Sequence, residues 1–313
     1  MPVVVPTLAT TLPVSTATAA LTAATITEQP TESPVDLVWS LTGDPNPFSS
    51  PDGIAIDQQN NLYVMDSGNT RIQKFDSDGR FIAMWGSRGN EDGEFYCSPF
   101  CMVAVDKQGN VYVTDSNDRV QKFDSSGNFL AKWGGFGSEN GQLNDPFGIA
   151  VDQQGNVYVG DVGNARIQKF DGNGKFLAKW GSSGYEDGQF SASLADIAVD
   201  SQGNVYVTDR TNGILKFGSS GQFLAKLDTC GDDRLVTSAT GVAVDLQDNL
   251  YVFDLSSIRL CKYDNNGHFI NNWDGSGTPD GPFSAVGGVA VDQQGNVYVA
   301  ELFNGRVRKF RQR

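Results

Sequence analysis

One motif that returns at a nearly fixed interval constrains this chain more than any other feature. The stretch "GIAIDQQNNLYVMDSGNTRIQKFDSDGRFIAMWG" comes back as "MVAVDKQGNVYVTDSNDRVQKFDSSGNFLAKWG" and "GIAVDQQGNVYVGDVGNARIQKFDGNGKFLAKWG", then in three weaker copies. Tyr63, Tyr112, Tyr158, Tyr206, Tyr251 and Tyr298 anchor the copies, at spacings of 49, 46, 48, 45 and 47 residues. That period fits one four-stranded propeller blade. A length of 313 residues would by itself allow two domains, but six copies in sequence point to one ring.

Each copy reads as four short strands divided by turn chemistry, with β-branched and aromatic residues in the runs and Gly, Asn and Asp between them. The first hairpin, D-x-x-G-N, places Gly109, Gly155, Gly203 and Gly295 where a positive φ is needed. Asn60 and Asp248 replace them in two copies and are the non-glycine types that tolerate it best. A second hairpin puts Gly79, Gly127, Gly174, Gly221 and Gly267 at a similar site, so every unit is an antiparallel meander. The segments "IAVD", "VYV" and "RIQKF" do not alternate between apolar and polar, which means both sheet faces are buried, as in blades stacked between neighbours. A β-helix or flat solenoid has shorter rungs and lacks the outer Trp strand.

The sixth copy ends at Phe310 with only three residues after it, so it lacks a fourth strand. Elsewhere that strand carries Trp85, Trp133, Trp180, Leu227 and Trp273, and Trp39 precedes Trp85 by 46 residues. Residues 36–40 are therefore expected to supply the outer strand of blade six and close the ring, hiding a free edge. The expected fold is all-β, a six-bladed propeller over residues 35–313. Residues 1–34, rich in Thr, Ala, Ser and Pro, read as a disordered tail or linker that cannot build a core.

The tail's apolar run is broken by Pro6 and Pro13, and no segment reaches the length of a membrane helix. It also lacks the basic start of a secretory signal, since the first Lys or Arg is Arg71. Spacers of this composition join an anchor or another domain to an extracytoplasmic module, so the chain reads as an extracytoplasmic, monomeric propeller, part of something longer. The net charge of −14 disfavours nucleic acid and anionic membranes.

The wording G-I-A-V-D, N-x-Y-V and D-S-G-N-x-R-I-Q-x-F resembles the NHL repeat family over residues 36–310. That resemblance implies a six-bladed propeller. It leaves function open, because such propellers serve as RNA-binding modules, protein platforms, extracellular sensor domains and, in a few cases, lyases.

Candidate site residues follow from the loop after the second strand, which ends in Asp66, Asp115, Asp161, Asp209, Asp254 or Glu301. Four or five residues on stand Arg71, Arg119, Arg166, Arg259 and Arg306, with Asn69 in the first turn and Gly213 replacing the Arg of the fourth. In a propeller these loops share one face with the blade connections, which carry Tyr96, Phe136 and Tyr185. A carboxylate ring could hold Ca²⁺ or a cationic partner, or each acid could bond its own turn and its own Arg. The fourth copy departs most: "DRTNGIL" introduces Arg210, and "LDTCGDDRLVTSAT" lacks the Trp.

Enzyme templates find little. The single histidine, His268, lies on an outer hairpin, which removes His-based zinc sites and a Ser-His-Asp triad. The expected role is a non-catalytic binding or sensing module, without a cofactor, that presents one face to a protein, glycan or small molecule. The alternatives are a Ca-dependent lyase or lactonase working in the channel, or an intracellular scaffold. Cys97 and Cys101 enter blade two while Cys230 and Cys261 belong to blade five, so the four cannot form one site. They make two local pairs or remain four thiols; the even count leans towards an oxidising compartment.

Overall fold

A computed structural model describes residues 34–98, 101–227, 229–231 and 235–313, all within one compact unit. The tail expected at 1–34 falls outside the described residues except for its last position. The chain opens with β1 (Val35–Leu41) and then runs through five complete blades. Blade one is β2–β5 (Pro51–Ile56, Leu62–Asp66, Arg71–Phe75, Phe81–Trp85) and blade two β6–β9 (Met102–Val105, Val111–Asp115, Arg119–Phe123, Phe129–Gly134). Blade three is β10–β13 (Pro146–Val151, Val157–Asp161, Arg166–Phe170, Phe176–Trp180) and blade four β14–β17 (Leu194–Val199, Val205–Asp209, Gly213–Phe217, Phe223–Leu227). Blade five is β18–β21 (Ala239–Val244, Leu250–Asp254, Arg259–Tyr263, Phe269–Trp273). Blade six has only β22–β24 of its own (Val286–Val291, Val297–Glu301, Arg306–Gln312) and takes β1 as its outer strand.

The closing pairing is antiparallel, from Val35 opposite Gln312 to Leu41 opposite Val307. Its rung differs from the one the tryptophan spacing implies. Trp85 stands opposite Ile72, and the matching place opposite Val307 is held by Leu41, while Trp39 lies opposite Lys309 where Ala83 lies opposite Lys74. A two-residue offset leaves Trp39 on the same strand face, because side chains alternate with period two. Its ring therefore still packs edge-on against Tyr298 of blade six at 5.6 Å and lies over Gly79 of blade one. Trp85, Trp133 and Trp180 make the same bridge from their own blade's tyrosine to the next blade's hairpin glycine. A Cβ on Gly127 would stand 2.5 Å from the Trp85 ring, so this glycine lets neighbouring blades meet.

The first hairpin explains the tyrosine anchors. Asp57 accepts the Tyr63 hydroxyl at 3.0 Å, the Asn61 side chain at 2.8 Å and two turn amides. Asp106, Asp152, Asp200, Asp245 and Asp292 repeat the arrangement. Asn60 and Asp248 adopt φ of 60° and 62°, matching the glycines they replace. The second strands are buried along their whole length, and the core is six aromatic and β-branched clusters between adjacent blades.

Candidate functional site

Antiparallel order places the loops between second and third strands, together with the blade connections, on one face; the two hairpin turns lie on the other. The acids that end the second strands are all buried. Asp66 accepts the Ser49 amide, the Asn69 side chain and Arg71 Nε at 2.6, 2.8 and 2.8 Å. Asp115 and Asp161 receive Arg119 Nε at 3.0 Å and Arg166 Nε at 2.6 Å. Asp209 is held by the amide and hydroxyl of Ser191, and Asp254 by the hydroxyls of Ser256 and Ser257. Glu301 meets Asn304, Arg306 and Arg308. Burial raises the Asp115 carboxyl against the opposing pull of Arg119. Arg259 does not pair with Asp254; it donates to Asn272 Oδ1 at 2.9 Å instead, because three serines already fill that acid's acceptor positions.

The arginines act outward from these acids, clamping the preceding blade connection. Arg119 donates to the carbonyls of Asn90, Glu91 and Glu94, and Arg166 to those of Ser138, Glu139 and Gln142. Gln73, Gln121 and Gln168, on the third strands, add a second staple to the carbonyls of Asn46, Glu94 and Gln142. In blade five the glutamine position is Cys261, and the staple is a disulfide to Cys230 with Cα atoms 5.7 Å apart. In blade six it is Arg308, which donates to Gly281 O at 2.8 Å and pairs with Glu301. A second disulfide joins Cys97 and Cys101 within the connection into blade two. The loops of this face are thus fixed by buried polar groups that are not themselves available to a ligand.

What those loops leave exposed is aromatic. Phe136 and Tyr185, on adjacent connections, are 74% and 71% exposed, and Phe303, in the blade-six loop of the same face, 83%. Arg88 stacks on Tyr96 at 5.4 Å on the neighbouring connection.

The channel mouth on this face holds two carboxylates that sequence reading missed. Asp52, on the inner strand of blade one, is 2% exposed, and its Oδ2 has no hydrogen-bond partner among the described residues. Its Oδ1 lies over Gly287 so closely that no Cβ would fit there. Asp196, on blade four across the ring, accepts the amides of Ile197 and Val242 at 2.8 and 3.1 Å. Burial pushes Asp196 up to about 7 against those two amides. Burial and then the like charge of Asp196 push Asp52 well above the usual range, while Arg210 pulls the other way. The signal was present: Asp196 stands where Gly53, Gly148, Gly241 and Gly288 stand in other copies.

Beside this mouth, between blades three and four, lies a cavity of about 280 Å³ lined by Asp145, Phe147, Val162, Ala192, Ser193, Leu194 and Arg210. The opposite mouth, about 200 Å³, is ringed by Asp57, Asp106, Asp245 and Asp292, whose carboxylates are occupied by their own turns. His268 sits at the outer hairpin of blade five against Asp264.

The NHL repeat family matches residues 48–75 and 143–170. Over 68 residues the chain is 37% identical to Protein brain tumor of Drosophila melanogaster, a match that covers 22% of this chain and 6% of that protein. The chain thus spans a small part of that curated relative. Among solved structures, a streptogramin B lyase superposes with a TM-score of 0.61 at 14% identity, covering 88% of this chain and 98% of its own. Virginiamycin B lyase from Staphylococcus aureus gives 0.58 at 12% identity, covering 84% and 94%. Such identities speak for the fold alone.

Proposed function

This chain is an NHL-repeat protein folded as a six-bladed β-propeller, and we propose that it is a non-catalytic binding module for a protein, glycan or small ligand. The observation that carries the reading is the set of exposed aromatics Phe136, Tyr185 and Phe303 on one face, raised on loops held by buried polar groups: Arg166 and Gln168 under the Phe136 connection, Asp209 and Asn212 under the Tyr185 connection, and Glu301 with the Leu302 amide at the Phe303 loop. Large side chains on pre-ordered loops bind with little further loss of loop freedom. Two disulfides support an extracytoplasmic setting, since such bonds persist where the surroundings oxidise.

A photo-crosslinking amino acid at position 136 or 185, compared with one at exposed Leu246 on the opposite face, tests this in an extract of the source cells. Specific adducts from 136 and 185 but not from 246 are expected. Equal capture at all three positions, or none at 136 and 185, refutes the reading.

A second reading places chemistry in the channel, and the raised carboxyls of Asp52 and Asp196 favour it, because strongly perturbed acids in a cleft mark functional sites. Among the described residues no three His, Cys, Asp or Glu side chains converge, so a Ca²⁺ there would have to complete its shell with carbonyls and water. Lactone hydrolysis that is lost on chelation and on Asp196→Asn would establish this reading in place of the first.

A further inference from the structure

We propose that the cavity beside the channel mouth, between blades three and four, binds a small organic carboxylate with an apolar body, held through Arg210. The proposal deepens the binding-face reading and rests on it. In all six blades one backbone amide of the loop after the second strand donates to the blade connection. The donors are Gly68, Ser116, Gly163, Arg210, Leu255 and Leu302, at 2.8, 2.8, 2.9, 3.1, 2.9 and 2.9 Å. The backbone bond holds the loop whatever the side chain, and glycine suffices at two of the six positions. Folding therefore does not require an arginine at this place, and Arg210 is the one charged member of the set.

Its guanidinium is exposed and makes no hydrogen bond or ion pair among the described residues, unlike the clamped Arg71, Arg119, Arg166 and Arg306. In a chain of net charge −14, an unpaired arginine is a local attractor for anions. Its planar fork suits the two oxygens of a carboxylate.

The rest of the cavity specifies the remainder of the ligand. Phe147, Val162, Ala192 and Leu194 give an apolar wall, and Ser193 adds one hydroxyl. A volume of about 280 Å³ lies at the lower edge of ordinary ligand sites, which fits a fragment-sized molecule rather than a polymer chain. Asp145 lines the cavity too and disfavours a second anionic group on the ligand. Arg210 also acts electrostatically on Asp52, whose carboxyl burial and the like charge of Asp196 raise well above the usual range.

Phenylacetate and its neutral isostere phenylacetamide are the probes, titrated into the full chain with ligand-observed NMR. Saturable millimolar binding of phenylacetate is expected, at least tenfold tighter than that of the amide. Arg210→Met should bring phenylacetate down to the level of the amide, and Arg210→Lys should fall between. Both variants should melt with the parent, as the sister blades carry Ser, Leu or Gly there. Equal binding of acid and amide, no saturation by 50 mM, or an unaffected Arg210→Met overturns the proposal. Crosslinking from positions 136 and 185 reports on the binding face separately, so it can succeed while phenylacetate fails, and the reverse.

Discussion

Removing the closing strand tests the architecture most directly. Two truncations suffice: one lacking residues 1–33, which keeps all of Val35–Leu41, and one lacking residues 1–41. The second loses Val35, which is fully packed, and Leu37, Trp39 and Leu41, each partly buried against blades five, six and one. At roughly 1.5–3 kcal/mol for each fully buried side chain and half that for the other three, the loss comes to about 4–7 kcal/mol. Domains are stable by about 5–15 kcal/mol, so the open ring is left with little margin. It also exposes β24 as an unpaired edge, which invites association with other chains. Urea unfolding followed by circular dichroism, with size-exclusion chromatography alongside, reads both effects. The shorter truncation should unfold at the parent's midpoint, and the longer one should shift far down or aggregate. A synthetic peptide of residues 34–42 should restore part of the midpoint in trans. Coincident unfolding of the two truncations would refute the closure.

Two further outcomes follow from buried charge. Asp196 titrates near 7 when folded against 3.8 as the ordinary value, so the native state binds its proton more tightly and stability falls as pH rises from about 4 to 7. A separation of that size corresponds to something on the order of 4 kcal/mol, so the stability of Asp196→Asn relative to the parent should improve progressively over this window. A pH-independent difference between them would show that Asp196 is not held protonated. In blade six, Glu301 and Arg308 replace the Asp and Gln of blades one to three as a couple. Arg308→Gln or Glu301→Asp alone should cost about 1–3 kcal/mol by leaving buried polar groups poorly matched, whereas the double variant, which restores the repeat's own residues, should recover most of it in a double-mutant cycle. Additive losses would argue against that coupling.

The parts of this protein that were readable in advance are those whose partners lie nearby in sequence. Asp57 finds Asn61 and Tyr63 within six residues, and Asp66 finds Asn69 and Arg71 within five, so repeated spacing alone revealed turns, blades and their number. The closing strand was readable in identity and face, because a Trp had to meet a Tyr and a hairpin glycine, but its rung was not. Leu41 can take the place of a Trp when the offset is two residues, and counting from Trp39 cannot detect that. Cys230 and Cys261 were legible as one of two possible local pairs, but the staples as a set were not, for a different reason. Gln121 to Glu94, Cys261 to Cys230 and Arg308 to Gly281 span 27, 31 and 27 residues and use three unrelated chemistries for one mechanical task. The channel mouth needed the ring itself, since Asp52 and Asp196 are half a circumference apart in sequence and face each other only once six blades have closed. Symmetry in the repeat therefore marks what holds the propeller together. The residues that break it without a structural need, Arg210 foremost, are where selection for a ligand can act without disturbing the fold.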